Sequence, residues 1–240
     1  MFGGLKVFDY PKPVSLIKYL MDFVCEKDDI ILDFFSGSAT TAHAVLEKNK
    51  EDGGNRKFIL VQYPEPIDKD SAVYQAGYHT ICDIGEQRIR LALEELGLDV
   101  GFKVFKLDDS NIKEWSIEFE DIENDLDFFS NAFKKESSEL DIVYEIMLKQ
   151  GLELTYPINS FEVDGKRIYD IAFGNLFICL ADKIDTNVAK AIIAKRDEYE
   201  IETSSVIFSD AGFDGNDSEK LNCIELLKDA GYPEDNLLTI

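Results

Sequence analysis

Apolar positions along the chain follow two spacings, and these set out its elements. Val14, Leu16, Ile17, Leu20, Met21 and Val24 recur every three or four residues, which predicts a helix from 14 to about 25 with one apolar stripe. Ile30 to Phe34 is a continuous apolar run interrupted by Asp33, the pattern of a strand buried on both faces. It passes into the small residues Ser36-Gly37-Ser38-Ala39 and then into Ala39 to Leu46, which are good helix formers, so a strand, a tight turn and a helix start are expected. That helix should reach about Asn49, ahead of the turn cluster Glu51-Asp52-Gly53-Gly54-Asn55. Lys57 to Tyr63 reads as a second buried strand stopped by Pro64-Glu65-Pro66, and the strand, helix and strand together predict a right-handed parallel unit.

Farther on, Ile81 to Leu96 is helical in pattern and closed by Gly97, and Phe102 to Leu107 alternates apolar and basic residues as a third strand would. Residues 108–127 are acidic and read as a connector. A helix is predicted at Leu140 to Gln150 and a hairpin at Phe161 to Ile168 through Asp164-Gly165. Strands are expected at 168–173 and 176–181, parted by Gly174-Asn175. Helix Ile184 to Lys195, strand Ser205 to Ser209, helix Ser218 to Ala230 stopped by Gly231, and a last strand from Leu237 to Ile240 complete the pattern. The organisation is α/β in two parts: 1–110, an acidic connector at 111–139, and a smaller α/β domain at 140–240.

Composition narrows the function classes. With 45% hydrophobic and 30% charged residues the chain reads as globular, and no apolar run approaches the about 20 residues of a membrane span. Lys6, Asp9 and Lys12 interrupt the opening stretch as a signal peptide would not, so a cytoplasmic location without membrane partners is expected. Cys25, Cys82, Cys179 and Cys223 include no Cys-x-x-Cys pair, which argues against a zinc site and fits reduced thiols. The formal net charge is −23, and it is uneven: residues 1–110 carry 13 Lys and Arg against 19 Asp and Glu, and 111–240 carry 12 against 29. The second part should repel a phosphate backbone, so any grip on nucleic acid is expected to come from elsewhere.

The 33–41 turn is the leading site candidate, because it places backbone N–H groups and the positive end of a helix at the carboxyl edge of a sheet. A small-residue turn of this kind also serves purely structural ends. The sequence holds no Gly-x-x-x-x-Gly-Lys-Ser/Thr, no Gly-x-Gly-x-x-Gly and no Gly-x-Ser-x-Gly, which weakens P-loop, dinucleotide and serine-hydrolase readings. His43 and His79 read as packing or surface histidines, Tyr10 and Tyr63 as packing residues, and Lys12 also suits a solvated loop.

Three stretches in order carry a resemblance. Pro11-Lys12-Pro13 with its helix, Asp33-Phe34-Phe35-Ser36-Gly37-Ser38-Ala39-Thr40-Thr41-Ala42-His43-Ala44-Val45, and Glu51-Asp52-Gly53-Gly54-Asn55-Arg56-Lys57-Phe58-Ile59-Leu60-Val61-Gln62 resemble the β-class adenine-specific DNA methyltransferases, above all the modification (Mod) subunit of type III restriction-modification systems. The likeness is dense over about 6–107 and looser at Leu152 to Ile158 and Phe208 to Phe213. It implies a partial Rossmann-like methyltransferase fold with S-adenosylmethionine as cofactor. By the same resemblance Lys12, Pro13, Asp33, Phe34, Phe35, Ser36, Gly37, Ser38, Thr40 and Thr41 border the cofactor's amino-acid end, and Gln62 or Glu65 meets its ribose.

Two departures shape the expected function. The usual Gly-x-Gly is Gly37-Ser38-Ala39, so the Ala39 methyl is expected to crowd the cofactor or tilt the helix. The catalytic tetrad Asp-Pro-Pro-Tyr, which positions a flipped adenine for methyl transfer, is absent; in the β class it precedes the Pro-Lys-Pro stretch, so the chain is expected to enter the pattern midway. The expectation is therefore the cofactor-binding C-terminal part of a type III adenine-N6 DNA methyltransferase, inactive alone and without catalytic residues of its own. DNA would be reached through a missing or partner-supplied recognition segment. The expected protein partners are another methyltransferase half, a Mod dimer partner or the restriction subunit. The alternative is a non-catalytic split or decayed subunit serving as an interaction module.

Overall fold

The computed structural model describes residues 2–8, 10–113, 133–134 and 136–240, and the chain divides into units Met1–Gly101 and Phe102–Ile240. Most of the expected acidic connector, residues 114–132 and 135, lies outside the described residues. Both units mix helices with sheet, so the chain is α/β in the broad sense.

In the first unit, helix α1 (Val14–Val24) leads to strand β1 (Ile30–Asp33), helix α2 (Thr40–Asp52), strand β2 (Lys57–Leu60), the short helix α3 (Ala72–Gln75) and helix α4 (Ile81–Leu96). The strands β1 and β2 pair in parallel with Asp33 opposite Leu60, as the strand, helix and strand pattern predicts. Proline at 13 caps α1 with an extended backbone, and Gly97 closes α4 at φ 61°, where a left-handed residue costs glycine nothing. Met21, Ala44 and Val45 are buried with Ile31 and Phe58 packed on them, so α1 and α2 cover one face of the sheet.

The other face differs from expectation. Alternate strand residues point oppositely, and the outward set Ile30, Leu32, Phe34, Ile59 and Val61 is exposed, as are Tyr19, Leu20 and Phe23 of α1. Apolarity on both sides of these strands was read as burial on both, yet among the described residues the sheet has two strands and one covered face.

The second unit contains helix α5 (Glu139–Lys149), strands β3 (Ile158–Val163), β4 (Lys166–Ile171) and β5 (Leu176–Cys179), helix α6 (Thr186–Glu198), strand β6 (Ser205–Phe208), helix α7 (Asp217–Asp229) and strand β7 (Leu237–Thr239). Its sheet runs β3-β4-β5-β6-β7, antiparallel through β5 and parallel beyond. One face packs Ile168, Phe177, Cys179, Val206 and Phe208 against Val188 and Ile192 of α6 and Cys223 and Leu227 of α7. The opposite face packs Tyr169, Ile171, Ile178 and Ile207 against Ile142, Val143, Ile146 and Met147 of α5. The hairpin turns at Asp164 and Gly165 with φ of 50° and 75°, the doubly left-handed form that an Asp-Gly pair favours.

Two sequence expectations fail here. Phe102 to Leu107 forms no strand: it runs extended, with the Lys103 amine donating to the carbonyls of Leu154 and Tyr156 at 2.6 and 3.0 Å and the Phe105 ring 5.0 Å from that of Tyr144. The strand expected at 168–173 stops at Ile171 because Ala172, Phe173 and Gly174 all take positive φ. Buried Asp170 holds that turn, accepting from the Gly174 N–H at 2.6 Å and the Tyr199 hydroxyl at 2.8 Å. Among the described residues no helix is long and apolar enough to cross a membrane, and no cluster of three or more His, Cys, Asp or Glu could hold a metal ion.

Candidate functional site

The turn after β1 is tied to the end of β2. The Val61 N–H donates to the Asp33 carbonyl at 2.9 Å and the Ser36 N–H to the Val61 carbonyl at 3.2 Å, so the ladder continues into the turn. The Gly37 N–H donates to Gln62 Oε1 at 2.7 Å, while Gln62 Nε2 donates to the Tyr63 carbonyl at 3.0 Å. Asp33 is held inside this frame. Its Oδ2 accepts from Thr41 Oγ1 at 2.5 Å and its Oδ1 from the Phe35 N–H at 3.2 Å. Asp33, Ser36, Gly37, Thr41 and Gln62 thus converge at one strand end, beside an α2 start that no side chain caps. The first N–H groups of such a helix lack intrahelical partners and carry its positive end.

Gly37 and Ala39 both adopt left-handed backbone, at φ 52° and 58°. For alanine this costs about 1–2 kcal/mol, the place where glycine would be free. The Ala39 methyl, expected to crowd the cofactor or tilt the helix, is 1% exposed, and its Cβ lies 3.5 Å from where a Cβ on Gly85 would stand, so it packs toward α4.

Helix α4 also supplies a residue that sequence reasoning missed. Arg88 Nη1 donates to Thr40 Oγ1 at 2.8 Å, to Ser38 Oγ at 2.9 Å and to the Ser38 carbonyl at 3.5 Å. Burial pulls the Arg88 pKa below its ordinary range, opposed by the field of Glu47. Its Nε is buried without a partner. The signal was present in the sequence. Ile84, Gly85, Ile89 and Ala92 form the buried stripe of α4, and Arg88 is a charge set into it four residues after Ile84.

Other predicted residues lie around this centre. Phe34 is exposed and Phe35 is 85% exposed, their ring centroids 5.2 Å apart. Pro13 caps α1 and Lys12 is exposed; among the described residues no hydrogen bond or ion pair joins Lys12 to the turn. Glu65 is exposed and lines a cleft of 410 Å³ with Val7, Phe8, Tyr10, Pro66, Ile67, Ile81 and Ile84. Phe8 connects cleft and turn, since a Cβ on Gly37 would stand 3.4 Å from its ring. Tyr10 and Tyr63, read as packing residues, are 86% and 78% exposed. His43 is buried with Nε2 3.1 Å from Glu47 Oε1, and burial lowers its pKa, while exposed His79 lies against Tyr74 with ring centroids 4.6 Å apart and planes tilted by 59°.

The arrangement sets a carboxylate, backbone N–H groups and an adjoining cleft at one end of a parallel pair. Such a donor set suits a zwitterionic ligand with a further nonpolar part.

Comparison with known proteins bears on the same region. Residues 3–94 match the DNA methylase family. The chain is 31% identical over 232 residues to the Mod subunit of the type III restriction-modification enzyme EcoPI of Escherichia phage P1, covering 91% of this chain and 34% of that protein. The EcoP15I Mod subunit of Escherichia coli is 30% identical over 217 residues, covering 90% and 33%, and the StyLTI Mod subunit of Salmonella typhimurium is 40% identical over 113 residues, covering 44% and 17%. The chain spans at most about a third of the length of these relatives.

Proposed function

We propose that the chain belongs to the DNA methylase family, among the relatives of the type III Mod subunits, and that its first unit binds S-adenosylmethionine at the 33–41 turn. We infer that it does so as part of an enzyme that methylates adenine N6 in DNA. The observation that carries this reading is the Asp33 carboxylate, held by Thr41 and Phe35 beside the uncapped start of α2. The parallel β1–α2–β2 arrangement fits the partial Rossmann-like sheet of such enzymes.

S-adenosylmethionine brings a methyl group already activated on a sulfonium. The chain's residues bind and orient it. Asp33 attracts the ammonium, and the backbone of Phe34 to Gly37 receives the amino-acid end, to which the family resemblance also assigns Lys12 and Pro13. The cleft beside Phe8 takes the nucleoside part. Because both polar atoms of the Gln62 amide are engaged within the turn, exposed Glu65 is the better placed of the two for the ribose hydroxyls.

The 240 residues contain no Asp-Pro-Pro-Tyr, so positioning of the adenine is assigned to a missing or partner-supplied segment that carries it, together with the part that reads DNA. A second methyltransferase half fits first, with a further Mod copy or the restriction subunit as assembly partners. The open apolar face of Ile30, Leu32, Ile59 and Val61 supports docking of such a partner, and it equally supports the reading of a non-catalytic interaction module.

Calorimetric titration with S-adenosylmethionine separates these readings. Saturable binding that is lost in Asp33→Ala, followed by restored adenine methylation on co-expression with a chain bearing Asp-Pro-Pro-Tyr, is the expected result. Absence of heat at millimolar cofactor, with capture of that chain intact, would leave the module.

A further inference from the structure

Strand β3 borders the second unit's sheet, and one of its edges is open. On the other side its six residues pair with β4 without a bulge, from Ile158 opposite Ile171 to Val163 opposite Lys166. The Ala172 N–H donates to the Pro157 carbonyl at 2.9 Å, and in an antiparallel pair such exchanges recur at every second residue. The backbone groups of Asn159, Phe161 and Val163 therefore serve β4, while the N–H and C=O of Ile158, Ser160 and Glu162 point outward. Among the described residues no strand lies beyond them. A groove of 530 Å³ follows this edge: residues 158–162 line it in succession, with Leu140 of α5 and Arg167 and Tyr169 of β4. Neither proline nor lysine, which commonly guard an exposed edge, occurs in β3.

Charge decides what can pair there. Arg167 lies 3.4 Å from Glu139 and 3.6 Å from Glu162, so two carboxylates share one guanidinium, and the Glu162 side chain is 62% exposed. An acidic strand is repelled and a basic one supplies the missing cation. A second copy fits poorly. With outward groups paired about a two-fold axis at Ser160, each Glu162 would stand opposite Ile158 of the other copy, and 111–240 would bring its 29 acidic against 12 basic residues to a like-charged surface. The chain's own Phe102 to Leu107 shows the chemistry that this margin accepts: the Lys103 amine donates to the carbonyls of Leu154 and Tyr156, just ahead of β3, and lies 5.2 Å from the centre of the Tyr144 ring.

We propose that the β3 edge receives an extended segment of another protein, with apolar and basic residues alternating, as a sixth strand antiparallel to β3. Its backbone pairs with Ile158, Ser160 and Glu162. Its basic side chains lie on the α5 face, where their stems cover Leu140 and their charges meet Glu139 and Glu162, and its apolar side chains lie on the opposite face beside Phe161. This surface is separate from the turn assigned to the cofactor.

The probe is the capped peptide Gly-Phe-Lys-Val-Phe-Lys-Leu, the sequence of residues 101–107, compared with an analogue in which each lysine is replaced by glutamate. Amide hydrogen exchange is followed by NMR on the full chain. In the free chain the Ile158, Ser160 and Glu162 amides should exchange faster than those of Asn159, Phe161 and Val163, and saturating lysine peptide should slow the first three by about tenfold or more. The glutamate analogue should bind about tenfold more weakly, and Glu162→Lys should reverse that preference. Binding without slowing of the three amides, equal affinity for the two peptides, or no saturation at millimolar peptide overturns the proposal. Slowing of the same amides when the chain alone is concentrated, with a dimer in sedimentation, overturns it in favour of a second copy. Should Glu162→Lys fail to fold, the amide pattern and the peptide ratio of wild type still decide.

Discussion

Replacing Asp33 with asparagine separates the charge of the carboxylate from its place in the turn. Oδ1 of an asparagine can still accept from the Phe35 N–H, and its amide can donate to Thr41 Oγ1, a hydroxyl free to rotate. The frame made by Val61, Ser36, Gly37 and Gln62 does not involve the Asp33 side chain and stays intact. The melting temperature should therefore move little. Hydrogen bonds to a charged group contribute about 1.5–3 kcal/mol against about 0.5–1.5 for neutral pairs, so removing the charge alone should cost about 1–2 kcal/mol of binding. At 1.4 kcal/mol per tenfold this weakens S-adenosylhomocysteine binding by about 5- to 30-fold. Asp33→Ala should do more, because it also strands the buried Thr41 hydroxyl and the Phe35 N–H, lowering stability by about 1–3 kcal/mol. Calorimetry and thermal melting on wild type and both variants give the two axes independently. Wild-type affinity in Asp33→Asn would refute the placement of a cation beside this carboxylate, and a melting loss equal to that of the alanine variant would refute the isosteric argument.

Further outcomes follow from the second unit. Burial alone would raise the Glu145 pKa, but hydrogen bonds from Ser110 at 2.5 Å, from the Asn111 backbone and side chain, and from Lys149 more than offset it and hold the carboxyl at about 2, below its ordinary 4.5. A depressed folded pKa stabilises above the unfolded value, so this contribution, about 3 kcal/mol, is full above pH 5 and fades as pH falls from 4.5 toward 2. Urea denaturation at a series of pH values should show Glu145→Gln less stable than wild type at pH 7, with the gap closing at acid pH; a pH-independent gap would exclude the linkage. Gly212→Ala would set a Cβ 2.5 Å from the Ala181 carbonyl and 2.7 Å from Ile184 Cδ1, so the backbone must move, and a loss of about 1–3 kcal/mol is expected in the same assay.

Much of this architecture was legible because it rests on local chemistry. Helices α1 and α4, the Asp-Gly hairpin and the glycine after α7 follow from spacing and turn residues, and all fall within a few positions of their sequence-derived bounds. The turn after β1 was legible for the same reason. Features that depend on partners distant in sequence were not. The run Ile30 to Phe34 looks the same whether or not a second layer lies over it, and Phe102 to Leu107 alternates whether or not another strand is adjacent. Tyr10 and Tyr63 show the same blindness, since an aromatic side chain reads as apolar packing until its surroundings are known. Arg88 stood out in the sequence as a charge within an apolar stripe, but which residues it and Gln62 clamp was not legible, because their partners Ser38 and Gly37 stand 50 and 25 residues away.

The packing of Ala39 toward Gly85 makes side-chain volume at these positions a shared quantity across a pair of helices. A methyl is admitted at the left-handed position because α4 presents bare backbone opposite it, and the backbone cost of that alanine is partly recovered as buried contact. Among diverging sequences the two sites should therefore drift as a couple, within the limit that the Gly37 carbonyl, which also stands 3.5 Å from a Cβ at 85, sets on any enlargement there.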